Sequence, residues 1–305
     1  MANGAPEKFT EGSEKNRGIP LAFLGLGNMG SGVAARLCEL GWEVTVHNRT
    51  ASKTKPLVAA GATAAASPGD AVEGAEVVLV SLSDEAAVRD VVLGRAVPRM
   101  RPGTLVLDCS TVSPAFSDEV SAELRARNLV RVETCLVGNP FQARQGALRI
   151  LAGGHADDVD RARPILDDIG GELIHLGEAG SGATMKLVLN VLLGAQVASL
   201  AEAVNYGEAA GLDRDLVLDV VTSTTGFASQ VMRFRAGFMR ERRYHPAAFR
   251  TTLMNKDLRH AVEHAHQLGL DMPVVSRTRD SYAEAVTRGQ GDEDAAVLLE
   301  HRSTP

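Results

Sequence analysis

The stretch from Ile19 to Thr50 constrains the fold more than any other part of the chain. Leu21-Ala22-Phe23-Leu24 is a short apolar run of the kind that forms a buried strand. The turn Gly25-Leu26-Gly27-Asn28-Met29-Gly30 follows, and Met29 to Leu40 carries helical spacing until Gly41 stops it. Glu43 to His47 reads as a second strand. Strand, glycine turn, helix and strand in this order are the fingerprint of a dinucleotide-binding unit. Gly25 allows the tight turn, Gly27 lets the backbone approach a pyrophosphate, and Gly30 lets the helix pack on the strand. Phosphate oxygens would sit on the N–H groups of the helix start, at Asn28 and Met29. Glycine spacing alone is a weak signal; its flanking elements make it specific here.

The end of the second strand bears on which dinucleotide. NAD sites place Asp or Glu there, on the ribose 2′-hydroxyl. This chain has Asn48-Arg49-Thr50, then Ser52 and Lys53, with no carboxylate to repel a 2′-phosphate. Arg49 and Lys53 can pair with that phosphate, so the expected cofactor is NADP(H).

Strand and helix patterns then alternate as far as His175. Strands are expected near Gly61 to Ala64, Glu76 to Val80, Thr104 to Leu107, Leu129 to Thr134, Arg149 to Ala152 and Leu173 to His175. Helices are expected over Ala51 to Ala60, Glu85 to Leu93 (capped by Ser83 or Asp84), Ala115 to Arg127 and Asp157 to Ile169. This alternation predicts an α/β fold, a doubly wound parallel sheet of the Rossmann type. Ligands bind such sheets at the carboxyl ends of the strands, where Asn28, Asn48, Ser83 and Ser110 fall, with Leu82 and Thr111 beside them. After Gly177 the pattern becomes helical: Ala183 to Ala210, capped by Gly211, then Arg214 to Ser223, Ala228 to Arg240, Thr251 to Leu268, Val274 to Arg288 and Asp292 to Glu300. The expected organisation is a flexible tail at 1–18, a dinucleotide-binding domain at 19–178, an all-helical substrate and dimerisation domain at 179–300, and a tail at 301–305.

Composition narrows the function classes. The 305 residues carry a net charge of −6 and no basic run, which argues against a nucleic-acid or membrane surface. Cys38, Cys109 and Cys135 are an odd number in apolar contexts without metal spacing, as expected of reduced thiols in the cytoplasm. The N-terminus lacks the apolar segment of a signal peptide. The apolar stretch Leu187 to Val204 holds Asn190, Gln196, Ser199 and Glu202, so a buried core helix is expected in place of a membrane span. Being nearly apolar all round, it suggests burial between domains or between subunits of a homodimer or higher homo-oligomer.

Lys186 and Asn190 lie four apart on one face of that helix. A lysine in an apolar helix is costly to bury without a partner or a job. Spacing alone leaves Lys186 readable either as snorkelling near a helix start or as a functional group. Its place just past the domain junction favours the second. Lys256-Asp257 forms another polar site, with His260, His264 and His266 downstream as expected surface groups and not metal ligands.

With these motifs the chain resembles the β-hydroxyacid dehydrogenase family from about Ile19 to Glu300. The resemblance is carried by GLGNMG at 25–30, Asp108-Cys109-Ser110-Thr111 with Pro114, Gly177 to Lys186 with Asn190, and Lys256-Asp257-Leu258. It implies nicotinamide-dependent reduction of a carbonyl in a small-molecule substrate, with Lys186 as proton donor and Asn190 assisting. Ser110 and Thr111 would border nicotinamide and substrate, and Lys256 would close the site from the helical domain. The family's Ser-Gly-Gly segment, which holds the substrate carboxylate, falls at Val137-Gly138-Asn139, with Pro140 following. Here the serine is Val137, the second glycine Asn139, the usual preceding proline Cys135, and the first of two asparagines after the lysine Leu189. Either Asn139 supplies a replacement donor or the substrate lacks a carboxylate at that point. Two other functions stay open: an imine reductase of the same architecture, disfavoured by the retained lysine, and a catalytically silent cofactor-binding scaffold.

Overall fold

The computed structural model describes residues 18–301. The tails expected at 1–18 and 301–305 therefore lie outside the described residues, except for Gly18 and His301. The chain divides into two compact units, Met1–Lys186 and Leu187–Pro305.

The first unit alternates strand and helix: β1 Leu21–Leu24, α1 Asn28–Glu39, β2 Val44–His47, α2 Lys55–Ala59, β3 Thr63–Ala64, α3 Pro68–Val72, β4 Val77–Val80 and α4 Glu85–Val88. There follow β5 Leu105–Asp108, α5 Pro114–Arg125, β6 Val130–Val137, α6 Pro140–Gln145, β7 Leu148–Gly153, α7 Ala156–Ile169 and β8 Gly170–His175. All eight strands form one sheet in the order β3-β2-β1-β4-β5-β6-β7-β8. Alternate residues of β1 serve opposite faces. Leu21 and Phe23 pack with Val33 and Leu37 of α1 and Ile165 of α7. Ala22 and Leu24 pack with Val72 of α3 and Phe116 of α5. Burial on both faces is why the central strands read as unbroken apolar runs such as VVLV.

The sheet departs from the all-parallel expectation at one pairing. β7 runs antiparallel to β6, with Val137 opposite Arg149, and β8 is parallel to β7. The cause is chain length: residues 138–147 hold only a short helix, whereas a parallel crossover needs a dozen or more residues. The short helices α3 and α6 were not expected from sequence. Each is started by a local side-chain cap, Ser67 on the Asp70 amide and Asn139 on the amides of Phe141 and Gln142. The helix expected over Glu85 to Leu93 continues past α4 as a wider π-type coil, Arg89–Ala96.

The helix α8, Ser181–Ala209, carries the chain from the first unit into the second. There α9 Arg214–Ser223, α10 Gln230–Glu241, α11 Thr251–Gln267 and α12 Pro273–Ala285 follow, and a last 3₁₀ segment covers Ala295–Glu300. Gly211 ends α8 in a left-handed conformation at φ 89°, and the Leu212 amide closes on the Gly207 carbonyl at 2.9 Å. The core of this unit joins Val197, Leu200 and Val204 of α8 to Leu218, Met239, Met254, Leu258 and Tyr282. Gly194 lets α11 come close, since a Cβ there would lie 3.0 Å from Met254 Sδ, and Tyr282 donates to its carbonyl at 3.2 Å. Among the described residues α8 is the one helix long and apolar enough to cross a membrane, and 44% of its most apolar window is buried within the protein. Val188, Leu192 and Tyr206 on it are exposed, so its apolar surface is not buried all round.

The turn after β1 has no slack. A Cβ on Gly30 would stand 2.3 Å from the Gly25 carbonyl and 3.2 Å from the Phe23 ring. We therefore expect Gly30→Ala to destabilise the protein by about 1–3 kcal/mol through overpacking. Urea unfolding at neutral pH checks this, and an unchanged midpoint would contradict it.

Candidate active site

The carboxyl ends of β1, β2, β4, β5 and β6 lie along one edge of the sheet, because these strands are parallel. At the end of β1, Gly25 has φ 99°, and a Cβ there would meet the Ser81 carbonyl at 2.3 Å. Gly27 behaves differently: a Cβ on it would meet nothing within 4 Å among the described residues. It is the N-cap of α1, with no side-chain cap bond and no acidic residue in the first turn. A helix start without a side-chain cap bond suits an anion, as the positive end of the helix dipole.

Asn48 works inside the protein. Its Oδ1 accepts from the Leu26 amide at 2.9 Å and its Nδ2 donates to the Thr50 carbonyl at 3.1 Å, tying the glycine turn to the tip of β2. Arg49, Thr50 and Lys53 beyond it are exposed, and neither cation forms an ion pair among the described residues. The geometry therefore fits the expected dinucleotide, with cations available where a ribose would lie.

The tips of β4 and β5 are joined by Ser110. It is buried, its hydroxyl accepts from the Leu82 amide at 3.1 Å, and its own amide donates to Asp108 Oδ1 at 3.0 Å. Its part is thus to brace the edge on which Leu82, Ser83 and half-buried Thr111 sit. Of the two candidate caps for the next helix, Asp84 is the one used, accepting from the Ala87 amide at 2.8 Å, while Ser83 donates to Asp84 at 2.7 Å.

At the end of β6, Val137 is half-buried and Gly138 has φ 145°. A Cβ on Gly138 would lie 2.7 Å from Leu148 Cδ2. Asn139 is committed to a capping box. Its Oδ1 accepts from the amides of Phe141 and Gln142 at 3.0 Å each, and its own amide donates to Gln142 Oε1 at 3.1 Å. Its backbone amide and side-chain oxygen are thus occupied in starting α6, so any bond that Asn139 donates to a substrate would come from its side-chain Nδ2. Phe141 beside it is 70% exposed.

Lys186, on the second turn of α8, donates from Nζ to the Leu136 carbonyl at 2.6 Å. That bond places its ammonium next to the backbone that leads into Val137. One turn further along the helix, Asn190 belongs to the second unit, where it is buried and donates to Asp257 Oδ2 at 2.6 Å. Lys256 Nζ lies 3.1 Å from the other Asp257 oxygen. Asp257 thus holds Asn190 and Lys256 together, a role the sequence reading did not assign. His260 is also corrected: it is buried, 5% exposed, and not a surface group. No cluster of metal-binding side chains occurs among the described residues. Burial raises the Cys109 thiol to about 12 and the Cys135 thiol further, so neither is a nucleophile near neutral pH.

The sequence reading also passed over Arg131 and Glu133. Glu133 is 2% exposed and accepts from the amides of Gly180 and Gly182, each at 2.9 Å. The available signal was two opposite charges, two residues apart, in an otherwise apolar strand.

Residues 20–177 match the family model described as the NAD binding domain of 6-phosphogluconate dehydrogenase. Residues 180–301 match the model described as NAD-binding of NADP-dependent 3-hydroxyisobutyrate dehydrogenase. Glyoxylate/succinic semialdehyde reductase 2 of Arabidopsis thaliana is 32% identical over 284 residues, 92% of this chain and 79% of that relative. The 3-sulfolactaldehyde reductase of Escherichia coli is 33% identical over 282 residues, 92% of this chain and 94% of the relative. A solved 3-hydroxyisobutyrate dehydrogenase from Salmonella typhimurium superposes with a TM-score of 0.87 at 27% identity, over 92% of this chain and 99% of that one. An imine reductase from Pseudomonas sp. shares the fold at 19% identity and a TM-score of 0.62, over 93% of this chain and 100% of that one.

Proposed function

The chain belongs to the β-hydroxyacid dehydrogenase family of NAD(P)-dependent oxidoreductases, and within it we propose an NADP(H)-dependent enzyme that interconverts a substrate carbonyl and hydroxyl. When bound, the nicotinamide supplies or accepts the hydride. The turn from Gly25 to Gly30 and the uncapped start of α1 would receive the pyrophosphate. Arg49 and Lys53 would pair with the 2′-phosphate, as charge-assisted partners for an anion.

Lys186 gives the substrate oxygen its proton in reduction and takes it back in oxidation. The observation that carries this is its bond to the Leu136 carbonyl at 2.6 Å, which fixes an ammonium at the sheet edge where the cofactor fingerprint lies. An ammonium has three donors, so it can keep that bond and still serve a second oxygen. Asn190 as its helper and Lys256 as a cofactor contact are carried over from the family resemblance. Retention of the lysine favours C=O over C=N as the bond reduced, and an intact Lys186–Asn190 pair speaks against a silent scaffold.

The substrate's recognition group is not held as a simple carboxylate at Val137. An isopropyl group stands where a hydroxyl would donate, and the Asn139 amide and side-chain oxygen are spent on α6. A neutral or apolar group, facing Val137 and exposed Phe141, suits this loop better.

Two measurements follow. Lys186→Ala should lower kcat by roughly 10²–10⁴ with cofactor affinity nearly unchanged, since a positioned proton donor contributes on that scale. Near-normal turnover would remove the lysine from the chemistry. For recognition, kcat/KM for succinic semialdehyde should fall below that for its methyl ester, and Val137→Ser should raise the acid's value by about tenfold or more, one charge-assisted hydrogen bond. High activity of the unmutated protein on the free acid would contradict the proposed recognition.

A further inference from the structure

We propose that Glu133 is a positioning residue for Lys186, fixing the helix turn that carries the ammonium; this rests on Lys186 being the proton donor. Glu133 lies in β6 and its carboxylate takes four donors. On Oε1 these are the Ser117 hydroxyl and the Gly180 amide at 2.9 Å; on Oε2 they are the amides of Gly182 at 2.9 Å and Ala183 at 3.4 Å. The amides are among those an α-helix leaves without intrahelical partners, at the positive end of its dipole. A strand carboxylate thus does for α8 what an N-cap side chain does elsewhere.

Two glycines make the approach possible. A Cβ on Gly153 of β7 would stand 2.3 Å from Glu133 Oε2, and one on Gly182 would stand 2.8 Å from it. The charge is offset in part by one guanidinium. Arg131, two residues earlier on the same face of β6, donates to Asp108 Oδ2 at 2.8 Å and to the hydroxyls of Ser117 at 2.8 Å and Ser121 at 2.9 Å. It lies 3.6 Å from Glu133 Oε1. The cluster therefore buries two carboxylates and one guanidinium.

Such a cluster is an expensive way to hold a helix. Burying ionic groups costs several kcal/mol per ion, and apolar replacements of similar volume are often neutral or stabilising. What it provides is direction. Glu133 holds α8 at residues 180–183, and Leu136, three residues on in the same strand, accepts the Lys186 ammonium at 2.6 Å. One strand thereby fixes both the root and the head of the same lysine, within one helical turn of each other. A misplacement of about 1 Å can cost on the order of 10² in rate, so loosening the root should reach the chemistry.

The experiment is a double-mutant cycle on the full chain, following NADPH oxidation with the methyl ester of succinic semialdehyde. Glu133→Gln, Lys186→Ala and the double variant are compared for kcat, with NADPH affinity measured alongside. The expected result is a fall in kcat of roughly 10- to 100-fold for Glu133→Gln, with NADPH affinity within about twofold of the unmutated protein. In the Lys186→Ala background the same change should have no further effect, because the two act as a unit. Glu133→Asp should recover part of the loss. Hydrogen exchange gives a readout without turnover: amides 180–186 should exchange at least about tenfold faster in Glu133→Gln while those of β1 and α1 keep their protection. Should Glu133→Gln fail to fold, Ser117→Ala, which removes a single donor, replaces it and should show a smaller fall with the same non-additivity. Unchanged kcat, an equal fall in the Lys186→Ala background, or unchanged exchange at 180–186 would overturn the assignment. Near-normal turnover of Lys186→Ala alone would instead overturn the proton-donor role, and the positioning role with it.

Discussion

The absence of two Cβ atoms sets the geometry of the sheet edge. At Gly25 and Gly30 the Ser81 and Gly25 carbonyls approach to 2.3 Å from where a Cβ would stand, a distance that no side chain tolerates. That contact seats α1 tightly on β1 and aims its first turn across the edge. Gly27, between them, is the position where a side chain would fit and none is present. Close packing on both sides and open space in the middle make a cradle for an anion, and the Asn48 amide bolts the cradle to the neighbouring strand. Arg49 and Lys53, both exposed, follow that bolt in sequence.

β6 plays the corresponding part at the other end of the edge. Its middle holds the start of α8 through Glu133, its Leu136 carbonyl holds the Lys186 ammonium, and its last residue, Val137, leads into the cap of α6. The strand pairs with parallel β5 on one side and with antiparallel β7 on the other. The reversal keeps the loop at 138–147 short and compact. The amides of Asn139, Phe141 and Gln142 in this loop are taken up by its own capping box, and that links the topology to the substrate proposed.

Much of this was legible in the sequence, and the parts that were not share a cause. Gly25, Gly27 and Gly30 announce themselves because glycine spacing, strand and helix are all local. Lys186 stands out as a charge in an apolar helix. Glu133 does not, because three of its four partners are backbone amides 47 to 50 residues away, which leave no mark in a sequence. The burial of His260 and the pairing of Asp257 with Asn190 are long-range in the same way. The cap at Asn139 is different: Asn-Pro-Phe-Gln has the Asn-x-x-Gln spacing of a capping box, so that helix start is legible locally. The antiparallel pairing of β7 is less legible, because β6 runs on to Val137, three residues past the strand end expected at Thr134, and only then is the connection too short for a crossover.

The cofactor edge is the part on which every catalytic role depends, and it can be tested without a substrate. Titrating the unmutated protein with NADPH and with NADH, by quenching of its single tryptophan and by calorimetry, compares the two affinities directly. Exposed Arg49 and Lys53 predict tighter binding of NADPH, by about tenfold or more for each charge-assisted bond to the 2′-phosphate, with Arg49→Ala narrowing the gap by about tenfold. Equal affinities for the two cofactors, or no binding of either, would contradict the proposed site.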